Sequence, residues 1–241
     1  MKIFAVSDIH GHCKELKDAL EMSGFEKNNP EHLLICCGDY FDRGTENREV
    51  MKFFERTENK VMLLGNHEDM LKEILTAGRL KEHNYLNGTH LTVAEFFGKN
   101  AIDSFGMIDF SGRYRDLDRL EEFLGEMKNY YETEKYIFTH GWLPTDISGG
   151  IHVKENFRSL PDSMWKKARW IKWTDMYGIC PLLSDKTLVC GHMPVQYAYR
   201  ISPLRSRENS DIFYGEGLTA IDGGVFAEGK INVLVLEDEL I

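Results

Sequence analysis

Five strand-like apolar runs in this chain each stop at a short segment whose side chains can bind a divalent cation. In chain order, those segments are Asp8-Ile9-His10, Gly38-Asp39-Tyr40-Phe41-Asp42-Arg43-Gly44, Gly65-Asn66-His67-Glu68, His140-Gly141 and Gly191-His192. Carboxylate, amide and imidazole groups are the usual ligands of hard to borderline divalent metals. In open sheets, ligands bind beyond the carboxyl ends of the strands. The pattern therefore predicts one metal site, assembled where several strands finish.

The first 78 residues alternate between strand and helix patterns. Short apolar runs predict strands at 2–7, 33–37 and 60–64, and apolar residues three and four apart predict helices at 13–23, 47–56 and 68–76. A β-α-β-α-β-α order predicts a largely parallel sheet with helices packed against it. We therefore expect an α/β fold with the candidate ligands at one edge of that sheet.

Residues 79–134 interrupt this alternation. The stretches 93–97 and 117–128 have helical patterns, so we expect a mostly helical insertion that caps one edge of the site. Strand patterns return at 135–139, 188–190, 218–221 and 231–236, with a helix pattern at 163–173. We expect a more antiparallel second half. No linker or repeat divides the chain, so one domain over 1–241 is predicted.

Composition and charge argue against several classes of function. The net charge is −10, and the sequence lacks the basic patch of general nucleic-acid or membrane-surface binders. No apolar stretch reaches the roughly 18–20 residues of a membrane span, and no signal-peptide pattern opens the chain, so we expect a cytoplasmic protein. The five cysteines are odd in number and lack a CxxC pair. This argues against a disulfide framework or a zinc ribbon, and the apolar context of Cys36, Cys37 and Cys190 predicts buried thiols.

The positions of the first candidate ligands predict that their side chains point into one crevice. Asp8 and His10 are two residues apart, so on an extended strand both side chains point to the same side. Asp39 follows the strand pattern at 33–37 and would enter the same crevice. Its two carboxylate oxygens suit it to bridge two cations, which lie about 3.5–4 Å apart in two-metal sites. Each segment alone also fits a surface turn, and only their combination favours a metal site.

The later segments complete the ligand set. Asn66 offers a neutral amide oxygen, and His140 and His192 each follow a strand pattern. His67 points away from its neighbour Asn66, so we assign it to proton transfer, which suits an imidazole of near-neutral pKa. The resulting set of imidazoles, carboxylates and an amide is enough for two ions. We expect the remaining histidines to be solvated: His12, His32, His83, His90 and His152.

Together the segments resemble the calcineurin-like metallophosphoesterases. The likeness is to the PPP-type serine/threonine phosphatase branch, which includes bacterial and lambda phage phosphatases and symmetrical diadenosine tetraphosphatases. The matching motifs are Asp8-x-His10, Gly38-Asp39-x-x-Asp42-Arg43-Gly44, Gly65-Asn66-His67-Glu68, His140-Gly141 and Gly191-His192-Met193-Pro194. The resemblance extends from residue 2 to about residue 224, with no motif between 79 and 134. It implies a β-sandwich of mixed sheets flanked by helices (αββα).

The resemblance also implies a role for each matched residue. One divalent ion would be held by Asp8, His10 and Asp39. The other would be held by Asp39, Asn66, His140 and His192. His67 would act as general acid, oriented by Asp42, and Arg43 would bind phosphate oxygens through its planar guanidinium. The nucleophile would be a metal-activated water, without a phosphoenzyme. The resemblance favours manganese, while iron, zinc, cobalt and nickel also suit mixed nitrogen and oxygen ligands.

The sequence departs from the family pattern near the site. Leu64 precedes Gly65-Asn66-His67-Glu68 where many members have arginine, so a second phosphate-binding cation must come from elsewhere. We assign that role to Arg169. We expect Trp142, which follows His140-Gly141, to form a pocket wall and to contribute to substrate binding. Helical spacing places the other tryptophans in the core: Trp165, Trp170 and Trp173.

Three functions remain open on these residues. The first is a di-metal phosphomonoesterase of the serine/threonine phosphatase type, with a phosphorylated substrate such as a phosphoprotein. The second is a hydrolase of dinucleoside polyphosphates or other nucleotides, and the insertion at 79–134 would decide between the two by roofing the pocket. The third is a non-catalytic metal- or phosphate-binding module. The presence of the proposed ligands and of His67 favours an enzyme.

Overall fold

The computed structural model describes residues 1–147, 150–202 and 205–238, and its short strands and helices alternate only as far as residue 77. The strands are β1 (Lys2–Val6), β2 (His32–Cys36), β3 (Lys60–Met62), β4 (Tyr131–Glu132), β5 (Tyr136–Phe138), β6 (Thr145–Asp146), β7 (His152–Val153), β8 (Thr187–Cys190), β9 (Phe213–Gly215), β10 (Leu218–Ala220) and β11 (Leu234–Glu237). The helices are α1 (Cys13–Met22), α2 (Asn47–Glu55), α3 (Asn66–Ala77), α4 (Glu82–Leu86), α5 (Thr89–Phe97), α6 (Tyr114–Gly125), α7 (Asp162–Arg169), α8 (Trp173–Met176) and α9 (Val225–Glu228).

Two mixed sheets carry the fold. The first has the order β11-β1-β2-β3, in which β1, β2 and β3 are parallel and β11 is antiparallel to β1. The second has the order β4-β5-β8-β10-β9, in which β5, β8 and β10 are parallel and only the two edge strands are antiparallel. Strands β6 and β7 form a separate hairpin. The expectation of a more antiparallel second half is therefore wrong for the centre of the second sheet.

The two sheets pack face to face through apolar side chains that alternate along their strands. One face of the first sheet contributes Ile3, Ala5 and Ile35, which contact Phe138 and Val189 of the second sheet. The opposite faces pack against helices. Phe4 and Leu34 lie among side chains of α1 and α2, while Ile137 and Leu188 lie among the tryptophans of α7 and α8. This arrangement confirms the predicted sandwich flanked by helices.

The insertion at 79–134 contains α4, α5, α6 and a 3₁₀ turn, as its helical patterns predict. Side chains of α5 and α6, including Val93, Phe96 and Phe123, belong to the apolar cluster on the outer face of the first sheet. Phe41, from the loop after β2, packs edge-on against Phe96. The insertion therefore packs against that loop and the helices beside it, and α5 borders the candidate site; a cap over the pocket stays a prediction.

The predicted helix at 163–173 is two helices in the structure. Helix α7 ends at Arg169 and α8 begins at Trp173. The carbonyl of Ala168 accepts a hydrogen bond from the Trp142 amide at 3.1 Å, so it is engaged by a distant segment where a continuous helix would use it. The break lies beside the candidate site. It leaves Trp170 between the two helices, and the side chain of Trp170 is exposed.

All five cysteines are buried and free, which confirms the predicted burial of Cys36, Cys37 and Cys190. No described helix combines the length and the apolar character that crossing a bilayer requires.

Candidate metal centre

The six proposed metal ligands lie together at the carboxyl ends of the strands. Asp8 and His10 follow β1, Asp39 follows β2 and Asn66 follows β3, while His140 and His192 follow β5 and β8 of the second sheet. All six side chains are buried or nearly so. The parallel strands of both sheets end at this point, and for that reason residues up to 184 positions apart, such as Asp8 and His192, are directly hydrogen-bonded.

Asp39 divides the cluster into two halves. Its Oδ2 lies 3.7 Å from His10 Nε2, and His10 Nε2 in turn lies 3.9 Å from Asp8 Oδ1. Its Oδ1 lies 3.4 Å from His140 Nε2. The ligand atoms of Asp39, His140 and His192 are all within 4.8 Å of one another. A single carboxylate thus presents one oxygen to each half, which is the arrangement that a bridging ligand requires.

Backbone carbonyls fix the orientation of the three imidazoles. His10 Nδ1 is 3.0 Å from the Phe41 carbonyl, and His140 Nδ1 is 2.7 Å from the Cys37 carbonyl. His192 is reversed, because its Nε2 lies 3.2 Å from the Trp170 carbonyl. A carbonyl accepts a hydrogen bond, so in each ring the nitrogen facing it carries the proton. The other nitrogen of each ring keeps its lone pair and faces the cluster, as in metal-ligating histidines.

Asn66 connects the histidines of the second half. Its Oδ1 lies 2.8 Å from His140 Nε2 and 2.9 Å from His192 Nδ1. With the tautomers assigned above, both of these nitrogens and the amide oxygen are acceptors. Three acceptors that face one another at such distances fit a shared cation, because an unpaired buried acceptor is unfavourable.

The charges of the cluster also fit bound cations. Burial raises the pKa of Asp8 to about 6 and raises the pKa values of Asp39 and Asp222 well above their usual range. Burial also lowers the pKa of His192 to about 4 and the pKa values of the other ligand imidazoles well below normal. Carboxylates crowded together with neutral imidazoles are the donor set that divalent metals select. The residues present therefore fit two divalent ions.

His67 lies at the rim of the first half and is held by Asp42. Its Nδ1 is 2.7 Å from Asp42 Oδ2, and its Nε2 is 3.8 Å from Asp39 Oδ2. Burial alone would lower the pKa of His67, but the Asp39 and Asp42 carboxylates outweigh burial and raise the pKa to about 9. The Arg43 guanidinium lies 3.2 Å from His67 Nε2. Because a guanidinium can only donate, Nε2 accepts this hydrogen bond and the ring proton stands on Nδ1, towards Asp42. The imidazole and the guanidinium thus face the same space beside Asp39.

Backbone conformation marks the same residues. Within the described chain, positive φ outside glycine occurs at six residues, all of them in the candidate site: Asp8, His10, Asp39, Asp42, Arg43 and His192. A non-glycine residue in the left-handed region costs about 1–3 kcal/mol and persists only where the surroundings enforce it. The concentration of this strain in one place indicates that the loops are shaped to aim these side chains.

Glu68 is a site residue to which the sequence reasoning gave no role. Its Oε2 accepts hydrogen bonds from the amides of Asp39 and Gly65 at 2.8 and 2.9 Å, and its Oε1 accepts one from Tyr40 at 2.9 Å. It therefore joins the loop after β2 to the start of α3. Its position at the end of the Gly65-Asn66-His67-Glu68 motif was the available signal. Asp222 caps a turn by accepting a hydrogen bond from the Gly224 amide at 2.8 Å.

The structure does not bring Arg169 to the site. Its guanidinium is buried and binds both oxygens of Asp69 at 2.7 and 2.9 Å, and also Asn129 at 2.6 Å and Asp162 at 3.1 Å. All three of its nitrogens are therefore engaged by the protein, which corrects the assignment of Arg169 to phosphate binding. It joins α7 to α3.

The tryptophan assignment is also corrected. Trp142 is completely buried in the apolar cluster beside α7 and α8, so it forms no pocket wall. Trp165 and Trp173 are buried as expected, whereas Trp170 is 46% exposed. Its ring centroid lies 6.2 Å from that of His192. Of the other histidines, His83 and His152 are exposed as expected, but three are half-buried: His12, His32 and His90.

Comparison with known proteins agrees with this geometry. The model of the Calcineurin-like phosphoesterase family matches residues 1–224. The symmetrical bis(5'-nucleosyl)-tetraphosphatase of Nitrosospira multiformis is 32% identical over 191 residues, which are 78% of this chain and 60% of that enzyme. Serine/threonine-protein phosphatase 2 of Salmonella typhimurium is 28% identical over 201 residues, 81% of each chain. A Coxiella burnetii tetraphosphatase matches at 30% over 87 residues, and the matched part spans only 29% of that enzyme.

Solved structures share the fold at low sequence identity. A putative diadenosine tetraphosphatase superposes with a TM-score of 0.60 at 16% identity, over 98% of this chain and 89% of that one. A protein serine/threonine phosphatase from Saccharomyces cerevisiae superposes with a TM-score of 0.58 at 13% identity, over 100% of this chain and 80% of that one. The family match covers every residue of the candidate centre. The chain belongs to the calcineurin-like phosphoesterase family.

Proposed function

We propose that this protein is a phosphoester hydrolase that depends on two divalent ions, with phosphomonoesters of the serine/threonine phosphatase type as its substrates. The single observation that carries the proposal is the position of Asp39. Its two oxygens face two separate ligand groups, and the His67–Asp42 pair and Arg43 stand beside one of them. Ligands for two cations, a proton donor and a phosphate-binding guanidinium are the parts that such a reaction requires.

Each of these side chains has a separable task. Arg43 binds phosphate oxygens through its planar guanidinium and orients the phosphoryl group. His67 presents Nε2 to the leaving oxygen and, once that nitrogen is protonated, gives the proton to it, while Asp42 fixes the ring through Nδ1 and stabilises its protonated form. When bound, two divalent ions supply the positive charge that attracts a phosphate to this acidic protein and activates water. We propose manganese for both positions and the cytoplasm as the compartment.

A dinucleoside polyphosphate or other nucleotide is the second candidate substrate. The similarity to the tetraphosphatase of Nitrosospira multiformis favours it, as does the exposed indole of Trp170 beside His192. Both substrates use the same ligands and the same proton donor. They differ in what surrounds the phosphoryl group and therefore in the contacts beyond the metal centre.

A substrate panel tests the proposal. Purified protein loaded with Mn²⁺ is assayed on p-nitrophenyl phosphate, a phosphoserine peptide and diadenosine tetraphosphate, before and after treatment with a chelator. We expect hydrolysis of p-nitrophenyl phosphate and of the phosphopeptide that the chelator abolishes and Mn²⁺ restores. Faster turnover of diadenosine tetraphosphate would favour the second candidate. Metal binding without turnover of any of the three would show a non-catalytic module instead.

A further inference from the structure

Trp170 is an exposed tryptophan at the edge of the metal centre. The other three tryptophans are at most 1% exposed, whereas Trp170 is 46% exposed and its ring meets that of His192 nearly edge to face. Tryptophan in a protein with an adequate core is usually covered, and an exposed one beside a cluster of polar residues is a common feature of binding sites. The position of this indole therefore calls for a ligand-based explanation.

The segment that carries Trp170 is fixed on both sides. The carbonyls of Ala168 and Arg169 pack so closely on Gly141 that a Cβ there would come within 2.7 Å of each. On the other side, the Trp173 indole donates a hydrogen bond to the Met193 carbonyl at 2.7 Å, next to His192. The exposed ring thus projects from a segment that is held both to the loop of His140 and to the loop of His192. A rigid aromatic surface loses little conformational entropy when a ligand covers it.

Trp170 plays two parts that are chemically separate. Its backbone carbonyl lies 3.2 Å from His192 Nε2 and orients that imidazole, a contact that any residue at position 170 provides. Its indole makes no such contribution and is free to meet substrate. Lys172, two residues further on, is also exposed, and its positive charge acts on His192. Substitution of the side chain therefore leaves the support of the metal centre in place.

We propose that the Trp170 indole is a stacking platform for a planar aromatic group carried by the phosphoester substrate. This inference rests on the proposed hydrolase function and names the class of substrate that the site prefers. Two sources of such a group share this chemistry: a nucleobase, separated from the phosphate by a ribose, and an aryl ring bonded directly to the ester oxygen. Stacking on an aromatic side chain favours either one over an aliphatic phosphoester.

The test compares substrates with and without a ring in matched variants. Wild type, Trp170→Ala, Trp170→Phe and the control Tyr214→Ala are assayed on a phosphoserine peptide, the matching phosphotyrosine peptide and adenosine 5′-monophosphate. Tyr214 is a suitable control because it is 67% exposed on the edge strand β9. We expect Trp170→Ala to lower kcat/KM about tenfold for at least one of the ring-bearing substrates, mainly through KM. Phosphoserine turnover and the Tyr214→Ala control stay within about twofold, and Trp170→Phe recovers most of the loss.

Binding is measured separately from turnover. In the His67→Asn background, adenosine 5′-monophosphate and phosphotyrosine are titrated while tryptophan fluorescence is recorded. We expect quenching that disappears when Trp170→Phe is added, because the remaining three tryptophans are buried.

The outcomes distinguish a nucleobase from an aryl ring as the stacked group, and they test the stacking role separately from the hydrolase function. A loss confined to adenosine 5′-monophosphate identifies the nucleobase, and a loss confined to phosphotyrosine identifies the aryl ring. Equal losses on all three substrates, or no loss on any, would overturn the stacking role while the hydrolase function stands. If the wild-type protein turns over none of them, the proposed function fails, and quenching still decides whether Trp170 binds the ring.

Discussion

Asp42 and His67 form a buried pair whose carboxylate is also anchored by the insertion. Asp42 Oδ2 lies 2.7 Å from His67 Nδ1 and accepts a hydrogen bond from the Thr89 hydroxyl at 2.7 Å, and its Oδ1 accepts one from Thr92 at 2.6 Å. Both threonines belong to α5. The segment that carries no motif thus supplies the contacts that hold the orienting carboxylate in place.

We expect Thr89→Val to lower kcat about tenfold without loss of metal. The change preserves the shape of the side chain but removes one hydrogen bond from a buried carboxylate, so the His67 ring is held less firmly. Steady-state kinetics on p-nitrophenyl phosphate and metal analysis of the same preparation measure the two effects. Thr76→Val is the control, because its exposed hydroxyl bonds only to the Lys72 carbonyl in the same helix. Unchanged kcat in Thr89→Val would show that Asp42 does not need this anchor.

We expect His67→Asn to retain both metal ions and to lower turnover by about 10²–10⁴, the range typical of a lost general acid. His67 lies beside Asp39, but the neighbouring ligands are held by contacts that do not involve its ring. Metal content is measured by elemental analysis, and turnover by release of phosphate. Loss of an ion in step with activity would make His67 a ligand and contradict its role in proton transfer.

We expect Arg169→Met to lower stability and to leave catalysis largely intact. The change removes one partner of a buried ion pair and leaves Asp69 uncompensated, which typically costs about 3–5 kcal/mol. Chemical denaturation gives the free energy of unfolding, and kcat/KM is measured below the transition. The control is Arg158→Met, since Arg158 pairs with Glu132 at the surface and its loss costs less than about 1 kcal/mol. A large rise in KM with normal stability would return Arg169 to substrate binding.

We expect Gly191→Ala to disturb Asp8 and weaken binding of the ion that Asp8 helps to hold. A Cβ at position 191 would overlap Ser7 Oγ and Asp8 Oδ2, so either the loop or the carboxylate must move. Overpacking of this kind typically lowers the free energy of unfolding by about 1–3 kcal/mol. Metal titration followed by calorimetry detects the weaker site. Gly125→Ala is the control, because a Cβ there meets nothing within 4 Å. Equal metal affinity in both variants would show that the overlap at position 191 does not disturb metal binding by Asp8.

The ligand set follows from sequence because each ligand stands next to a strand. Strand ends bring Asp8, Asp39 and Asn66 to one edge of the sheet, and the later strands add His140 and His192 by the same rule. Contacts between residues that are far apart in the sequence could not be predicted in this way. The exposure of Trp170 depends on where α7 ends, and that end is set by carbonyls that close on the segment after β5.

The burial of Arg169 and the anchoring of Asp42 are of the same kind. The charge of Arg169 suggested a phosphate-binding residue. In the structure its guanidinium is hydrogen-bonded to Asp69, which lies a hundred residues earlier in the sequence. Thr89 and Thr92 lie in a segment without any recognisable motif, and their partner Asp42 is about 50 residues away. Periodicity describes the faces of an element and does not identify the distant group that the element meets.

The sharing of Asp39 between two cations is the central feature of the proposed metal centre. The most direct measurement is anomalous diffraction from crystals of the protein grown with Mn²⁺, with crystals of Asp39→Asn as the control. We predict two anomalous peaks about 3.5–4 Å apart in the wild-type protein, one on each side of the Asp39 carboxylate, and loss or weakening of both in the variant. A single peak, or two peaks of which neither contacts Asp39, would contradict the account.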